Sequence, residues 1–293
     1  MPFERKEDKL ILRHAKGPTV EILWYGATIL SWNSGSKSNP ALSERIFVSS
    51  KSPLDGSEPV RGGIPVVFPC FAYPTHPDHL KLGMHGFARN EHWKWDGNII
   101  DNDSEITVKL ALDPIPSITA IYDKSFHLDY VVTLSEYTLK TDLHVTNTSS
   151  TVPFEFQALF HTYHACPSKD VRIKPLKGLT YYDKTELMNG KPTKKIEDRD
   201  KVDVTNWTDS VYESAPGVYE IGWPGGGVEV TTTNMRDLVV WNPQAVTGRK
   251  IAAMEESGWY VDKFVCVEPG LALAFETLQP GKIWIGKQEI TVR

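Results

Sequence analysis

The sequence predicts an all-β protein, a large antiparallel β-sandwich that occupies residues 1–293 as a single domain. Short runs of β-branched and aromatic residues recur at close intervals, and many alternate polar with apolar residues, as Thr107 to Leu110 does. Convincing amphipathic helices are missing between these runs, so the βαβ repeats of a parallel sheet are not expected. Antiparallel sheets packed face to face remain the simplest way to bury one side of so many strands.

The predicted strands lie on both sides of a central one. Before it they are Leu10–Leu12, Val20–Trp24, Thr28–Trp32, Arg45–Val48, Ile106–Leu112, Phe126–Leu134 and Thr138–Thr146, and after it Val171–Lys174, Val228–Thr233, Leu238–Trp241, Phe264–Val267 and Ile283–Val292. Lys250–Glu256 could form one or two helical turns.

The central strand, Pro153–Ala165, is predicted to have one apolar and one polar face. Phenylalanine and alanine alternate with polar side chains, and a period of two is typical of a half-buried strand. The polar face would display Glu155, Gln157, His161 and Tyr163, whereas His164 would lie on the apolar side. This polar face could bind a polar ligand, and His161 is its most reactive member.

Two long segments, Asp55–His92 and Lys184–Ser210, are predicted to be irregular. Loops of this length in a compact domain are usually functional or disordered. The first is rich in Gly, Pro, His and Arg, which favours function. Mixed charges in Lys191–Lys201 favour a solvated surface loop instead.

Composition excludes several classes of protein. A formal net charge of −5 and a pI near 6.0 argue against nucleic-acid binding. No stretch approaches the roughly 20 apolar residues of a membrane helix, and three cysteines without a Cys-x-x-Cys pair indicate a reducing compartment. We therefore expect a cytoplasmic monomer without membrane contact. The nine tryptophans fit either a sandwich core or the stacking of sugar rings, with the core favoured.

Two arginines in the first long segment are candidate anion ligands. Arg61 precedes Gly62 and Gly63, whose backbone amides could form an anion-binding nest, and Arg89 follows along the same loop. Because a guanidinium can bind phosphate or carboxylate through two parallel hydrogen bonds, the pair could hold one phosphate. The alternative is that Arg61 pairs with Glu58 and Arg89 with Glu91 as surface ion pairs.

Glu268 ends an apolar strand, where burial would raise its pKa and make it a usable base. A capped or ion-paired glutamate is the alternative. A metal site is not predicted, because His161 and His164 point to opposite faces of a strand and the loop residues His76, Asp78 and His79 have no second cluster to join. No cofactor is expected, since nucleotide-binding and nucleophile motifs are missing from the sequence.

Taken together, the motifs resemble the hexose-6-phosphate mutarotases (glucose-6-phosphate 1-epimerases) of the aldose 1-epimerase superfamily. They run in family order through nearly the whole chain: Leu23–Thr28 with Ser31-Trp32, Leu54–Ser57, Val60–Pro65 with Val67–Pro69, His85–Asn90, Asn147–Ser150, Leu159–Tyr163, Val239–Pro243 and Cys266–Gly270. Arg-Gly-Gly-Ile-Pro, His-Gly-Phe-Ala-Arg and Phe-His-Thr-Tyr are the most specific of them in combination. The resemblance implies a galactose-mutarotase-like β-sandwich that interconverts the α and β anomers of a hexose 6-phosphate without metal or cofactor.

The resemblance also implies roles for single residues. His161 would protonate the ring oxygen, and Glu268 would take the proton from the C1 hydroxyl. Arg61 and Arg89 would contact the phosphate. Asp209 would bond sugar hydroxyls, although a turn-forming aspartate is an alternative there, and His85 would line the pocket or serve the fold.

Met84 departs from the family pattern, because relatives commonly carry glutamine or serine before the His-Gly pair. A methionine side chain forms no strong hydrogen bond, so the preferred hexose phosphate is left open. Two other functions also stay open at this point: a mutarotase of unphosphorylated aldoses, and a non-catalytic carbohydrate-binding protein on the same sandwich.

Overall fold

The computed structural model describes residues 2–251 and 259–293, and these are organised almost entirely as β-strands. In chain order the strands are β1 Phe3–Arg5, β2 Lys9–Arg13, β3 Thr19–Leu23, β4 Ile29–Ser34, β5 Ser43–Glu44, β6 Val66–Val67, β7 Lys94–Asp101, β8 Glu105–Leu112, β9 Phe126–Ser135, β10 Thr138–Asn147, β11 Phe154–Phe156, β12 Leu159–Phe160, β13 Tyr163–Ala165, β14 Arg172–Lys174, β15 Thr180–Met188, β16 Lys191–Ile196, β17 Thr208–Tyr212, β18 Val218–Trp223, β19 Gly226–Thr233, β20 Asp237–Asn242, β21 Phe264–Gly270, β22 Glu276–Leu278 and β23 Ile283–Val292. The helices are short: α1 Pro116–Thr119, α2 Gln244–Gly248, and the 3₁₀ helices Pro77–His79, Ala88–Asn90 and Trp259–Lys263. No helix of the described residues is long and apolar enough to cross a membrane.

Two eight-stranded antiparallel sheets dominate the architecture, which confirms the predicted fold class. One has the order β14-β18-β19-β23-β10-β9-β8-β7, and the other the order β16-β15-β17-β20-β21-β12-β6, with β13 also pairing with β21. A five-stranded sheet, β1 to β5, and the two-stranded pair β11-β22 complete the strand pairing.

The main core lies between the two large sheets. Along β9 and β10 every second residue is buried, which is the period expected of strands with one face in a core. Tyr130 of β9 and Leu143 of β10 meet Val240 and Val267 of the other sheet in one continuous apolar cluster. Burial of this surface is the principal term that stabilises the sandwich.

The central strand was predicted in the right place but as one piece, and this was wrong. It is divided into β11, which pairs with β22, and into β12 and β13, which both pair with β21. At the first break the buried side chain of Gln157 accepts a hydrogen bond from the backbone of Phe71 and donates one to that of Ala272. Gln157 therefore supports the backbone instead of lining the polar face, and Glu155 binds His76 in the neighbouring loop (2.9 Å).

The prediction of an irregular loop for the second long segment was also wrong, because β15 and β16 form a hairpin there. The charged strand β16 is mostly exposed, so its solvated character was predicted correctly. The first long segment does contain little regular structure, with only the two-residue β6 and two 3₁₀ turns in Asp55–His92. Of the helical turns expected at Lys250–Glu256, residues 252–256 lie outside the described part.

Candidate active site

The face of the second large sheet that points away from the main core displays the reactive side chains. On β21, Val265 and Val267 join the main core, so Glu268, one residue further on, must point to the opposite face. On β20 the same alternation sends Val240 into the core and Trp241 to the outer face. Strand parity thus aligns polar and aromatic groups from several strands on one surface.

This surface forms the floor of a cavity of about 400 Å³, and loops from the first half of the chain form its wall. The lining residues are Arg61, Phe71, Ala72, Tyr73, Met84, His85, His161, Tyr163, Lys184, Asp209, Val239, Trp241, Ile251 and Glu268. Of the predicted site residues, six therefore line one cavity, and Arg89 is the exception. A larger, mostly apolar cavity of about 700 Å³ near Cys166 contains none of them.

His161 and Glu268 stand directly opposite each other on neighbouring strands. Leu159 pairs with Gly270 and Tyr163 with Cys266, so the same register continues on both sides of the break and brings His161 across from Glu268. The His161 Nδ1 atom lies 3.5 Å from Glu268 Oε1. Such cross-strand neighbours have Cβ atoms only about 5 Å apart, which suits two groups that handle protons of one substrate.

Burial sets the protonation of this pair. It raises the pKa of the Glu268 carboxyl well above its ordinary 4.5, and the negative charge of Asp209 adds to the effect. It lowers the pKa of His161 to about 3, with the charge of Arg89 acting in the same direction. Burial therefore favours the uncharged form of both groups, with the proton on Glu268.

Neither group is fully hydrogen-bonded. Among the described residues, His161 Nδ1 and Glu268 Oε2 are buried without a hydrogen-bond partner. Buried polar atoms in this condition are costly, because they have lost their hydrogen bonds to water. The Tyr163 ring stacks on the imidazole at a centroid distance of 4.8 Å and holds its plane in the cavity wall.

Arg61 and Arg89 are near enough for the charge of Arg61 to act on Arg89. Arg61 is half-buried on the cavity wall, and within residues 2–251 and 259–293 neither guanidinium forms an ion pair with a carboxylate. Arg89 is 6% exposed and donates from Nη2 to the backbone oxygen of Met84 (2.9 Å), behind the cavity wall. Burial, together with the charge of Arg61, lowers the pKa of Arg89 to about 10.

Two sequence-based alternatives for these arginines are not realised in the described residues. Glu91 accepts a hydrogen bond from Ser117 (3.0 Å) instead of pairing with Arg89. The proposed nest at Gly62 and Gly63 is also wrong, because the Gly63 amide donates to the Phe47 oxygen (2.8 Å). These glycines are needed for packing, since a Cβ on Gly63 would lie 2.4 Å from the backbone oxygen of Ile29.

Asp209 pairs with Lys184, a residue that the sequence analysis missed. The Lys184 Nζ atom lies 3.3 Å from Asp209 Oδ1 and 5.0 Å from the centre of the Phe71 ring. Burial raises the pKa of Asp209, whereas the charge of Lys184 opposes that shift. The signal for Lys184 was its place beside two tyrosines and a threonine, Thr180–Tyr182, which is strand-forming composition.

His85 and Met84 occupy the loop side of the cavity. The His85 Nδ1 accepts a hydrogen bond from the Ala72 amide (3.2 Å), so a neutral ring carries its hydrogen on Nε2. Burial lowers the pKa of His85 well below 6.5, which keeps the ring neutral. Its ring lies edge-on to His161 at 5.6 Å, and it can therefore donate to a ligand that lies beside His161.

One group of the described residues has the composition of a metal site: His161, Cys266 and Glu268, whose ligand atoms lie within 4.8 Å of one another. Its surroundings do not fit a cation, because the charges of Arg61, Arg89 and Lys184 all act on His161. Burial also raises the pKa of the Cys266 thiol well above 9.0, which opposes formation of a thiolate ligand. Of the other candidates, His164 is buried away from the cavity, and His76 and His79 bond to Glu155.

Comparison with known proteins agrees with the fold. The family model described as aldose 1-epimerase matches residues 8–291. A protein of Cenchrus ciliaris with the provisional name glucose-6-phosphate 1-epimerase is 30% identical over 296 residues, covering 96% of this chain and 83% of that protein.

Two solved structures show the same architecture. A Salmonella typhimurium protein provisionally described as a mutarotase superposes with a TM-score of 0.84 at 21% identity, covering 99% of this chain and 92% of the other. A galactose mutarotase related enzyme from Lactobacillus acidophilus gives a TM-score of 0.72 at 17% identity, covering 96% of each chain. Because the family model matches nearly the whole length of this chain, the chain belongs to the aldose 1-epimerase family and is an isomerase that acts on the anomeric carbon of sugars.

Proposed function

We propose that this protein interconverts the α and β anomers of hexose 6-phosphates, chiefly D-glucose 6-phosphate. The observation that supports a phosphorylated substrate is the pair Arg61 and Arg89, two neighbouring guanidiniums without a carboxylate partner in the described residues. Burial disfavours the charge of Arg89, and the charge of Arg61 adds to the cost. A phosphate dianion would neutralise both charges, and arginine suits its geometry. The name of the Cenchrus ciliaris relative is consistent with this substrate.

The order of the groups across the sheet fits one orientation of the sugar. One edge of β13 faces the segment of Arg61, since the Tyr163 amide donates to the Gly63 oxygen (3.0 Å). The other edge of β13 faces β21, the strand that contains Glu268. In a pyranose 6-phosphate the ring oxygen lies between C5, which bears the phosphorylated arm, and C1. A phosphate at Arg61 would therefore place the ring oxygen at His161 and the C1 hydroxyl at Glu268.

Ring opening needs an acid at the ring oxygen and a base at the C1 hydroxyl. The imidazolium form of His161 would donate to the ring oxygen while ionised Glu268 takes the hydroxyl proton, which breaks the C1–O bond and leaves the aldehyde. The neutral pair that burial favours is then the state left after opening, and it is the one that ring closure requires. After rotation about C1–C2, neutral His161 takes the C5 hydroxyl proton and protonated Glu268 returns one to the aldehyde oxygen.

The two states of the pair differ by one proton moved between neighbouring atoms. His161 Nδ1 and Glu268 Oε1 are 3.5 Å apart, so a small approach suffices for the transfer between them. Positioned acid–base catalysis typically contributes about 10²- to 10⁴-fold for each group. Trp241 supplies an aromatic wall next to His161, at 6.0 Å between ring centres, against which an apolar sugar face can pack.

The test follows the equilibration of freshly dissolved α-D-glucose 6-phosphate by polarimetry, with D-glucose as the comparison substrate. Wild type should accelerate the equilibration of the phosphate ester much more than that of glucose. Arg61→Met should lower kcat/KM for the phosphate ester by about 10- to 100-fold, the value of a hydrogen bond between charged groups, and should leave the rate with glucose unchanged. Arg236→Met is the matched control, because Arg236 is an exposed arginine paired with Glu276.

Equal acceleration of both sugars, unaffected by Arg61→Met, would show a mutarotase of unphosphorylated aldoses. Binding of glucose 6-phosphate by folded wild type without any acceleration would show a carbohydrate-binding protein instead.

A further inference from the structure

Lys184 and Asp209 form the second ionisable pair of the cavity, and the family resemblance assigns Lys184 no role. Asp183 of β15 pairs with Ser210 of β17 in an antiparallel register that brings the next residue, Lys184, opposite Asp209. The ammonium lies 3.3 Å from Asp209 Oδ1, with 29% of the lysine side chain and 20% of the aspartate side chain exposed. A carboxylate this poorly solvated needs a partner to remain ionised.

The position of this pair in the sheet indicates which part of a sugar it would meet. Strands follow in the order β15, β17, β20, β21, so Lys184 and Asp209 lie on the far side of Glu268 from Arg61. In the orientation proposed above, C1 lies at Glu268 and C5 lies towards Arg61. The ring atom on the other side of C1 is C2, and its hydroxyl is directed towards β17.

Lys184 also affects the catalytic carboxyl. Asp209 acts to raise the pKa of Glu268, while the charge of Lys184 acts to lower it, and Lys184 lowers the pKa of Asp209 as well. Removing the ammonium would leave Asp209 without the cation that lowers its pKa, and it would leave Arg89 to oppose the effect of Asp209 on Glu268. Asp209 would then hold a proton to higher pH and lose its capacity as a charged acceptor.

We propose that Lys184 is a positioning and specificity residue, which holds Asp209 ionised and in place to accept a hydrogen bond from the C2 hydroxyl of the substrate. This inference rests on the proposed function, because the orientation of the sugar comes from the phosphate site. The substrate class it selects is an aldose phosphate that bears a hydroxyl at C2.

The experiment compares glucose 6-phosphate with 2-deoxyglucose 6-phosphate, using NMR exchange between the anomeric protons at equilibrium. Wild type should prefer the hydroxylated substrate by about 10- to 100-fold in kcat/KM, as expected for a hydrogen bond to a charged group. Lys184→Met should raise KM for glucose 6-phosphate and remove most of that preference, with little change for the deoxy sugar. Lys184→Arg should restore it.

A control and a double variant separate this role from a structural one. Lys195→Met removes a lysine of the same hairpin that pairs with Asp183 (2.8 Å) outside the cavity lining, and it should behave as wild type. Because Lys184 acts through Asp209, Lys184→Met should have no further effect on the preference in an Asp209→Asn background. The acid limb of the kcat/KM profile should also move to higher pH in Lys184→Met.

Equal losses for both sugars in Lys184→Met, or an unmoved acid limb, would overturn the inference while leaving the phosphate preference of wild type intact. A wild type that shows no preference for phosphate esters over free sugars would instead overturn the proposed function.

Discussion

Replacing Glu268 by glutamine should lower activity and raise stability at the same time. Glu268 is 1% exposed, and its Oε2 has no hydrogen-bond partner among the described residues. The amide of glutamine has nearly the same shape, and its NH₂ group can donate to the unpaired Nδ1 of His161. The substitution therefore removes an ionisable group without removing packing, and the fold should be retained.

The expected sizes follow from the role and the pKa of the carboxyl. Loss of one positioned acid–base group should reduce kcat by about 10²- to 10⁴-fold. Burial raises the pKa of Glu268 in the native protein above the ordinary 4.5. At any pH between 4.5 and this native pKa, the native protein therefore holds a proton that the unfolded chain has released. In that window the free energy of unfolding of wild type falls by about 1.4 kcal/mol for each pH unit as pH rises. Glu268→Gln avoids this loss, so its stability advantage should grow with pH above 4.5.

Polarimetry with glucose 6-phosphate measures the activity, and urea unfolding at several pH values between 5 and 8 measures the stability. Glu197→Gln is the matched control, a second buried glutamate outside the cavity lining. Burial alone would raise the pKa of Glu197, but hydrogen bonds from Arg199 and Tyr212 outweigh it and hold the pKa below 4.5. Glu197→Gln should consequently lose stability near neutral pH and regain wild-type stability as pH falls through that low pKa.

A stability difference between wild type and Glu268→Gln that stays constant from pH 5 to 8 would refute the reasoning, because it would mean that Glu268 ionises normally in the folded protein. Retention of full activity would refute its role as the proton-transfer group.

Two further substitutions test the cavity wall. Gly63→Ala should destabilise the protein more than Gly97→Ala. Both glycines have a positive φ, where an alanine costs about 1–2 kcal/mol of stability. Only at Gly63 would the added Cβ also clash with the backbone, which costs a further 1–3 kcal/mol, roughly, through overpacking. Equal urea midpoints for the two variants would contradict this. Met84→Gln should lower the KM for glucose 6-phosphate or leave it unchanged, since Arg89 binds the Met84 backbone and not its side chain. A large rise in KM would show that the methionine fills the cavity by packing.

The parts of the fold that the sequence predicted well are those with one buried face. Strands β9 and β10 alternate strictly between buried and half-exposed residues, so their pattern is visible in the sequence. Strand β15 is half-exposed along most of its length, and β16 is mostly exposed. A hairpin that is solvated on both faces has no reason to alternate polar with apolar residues. For this reason the sequence of the hairpin that contains Lys184 predicts a loop.

Candidate site residues were predictable where chemistry and strand pattern coincide. Glu268 ends an apolar run, and His161 follows one, so both stood out as polar groups in strands. The burial of Arg89 could not be predicted, because it depends on the fold of the loop that brings its guanidinium to the Met84 oxygen. The break in the central strand likewise depends on pairing partners that are more than 100 residues away, at Gly270 and Cys266.

The register of the sheet explains why two separate ionisable pairs share one cavity. His161 stands opposite Glu268, and Lys184 stands opposite Asp209, so each pair consists of directly facing residues on adjacent strands. Strand β20 lies between the two pairs and contributes Val239 and Trp241, which exclude water without adding charge. A slip of one residue in either register would move one partner to the opposite face and leave the other buried alone. The same long-range pairing that closes the sandwich therefore fixes the separation of the proposed acid–base pair from the proposed hydroxyl-binding pair.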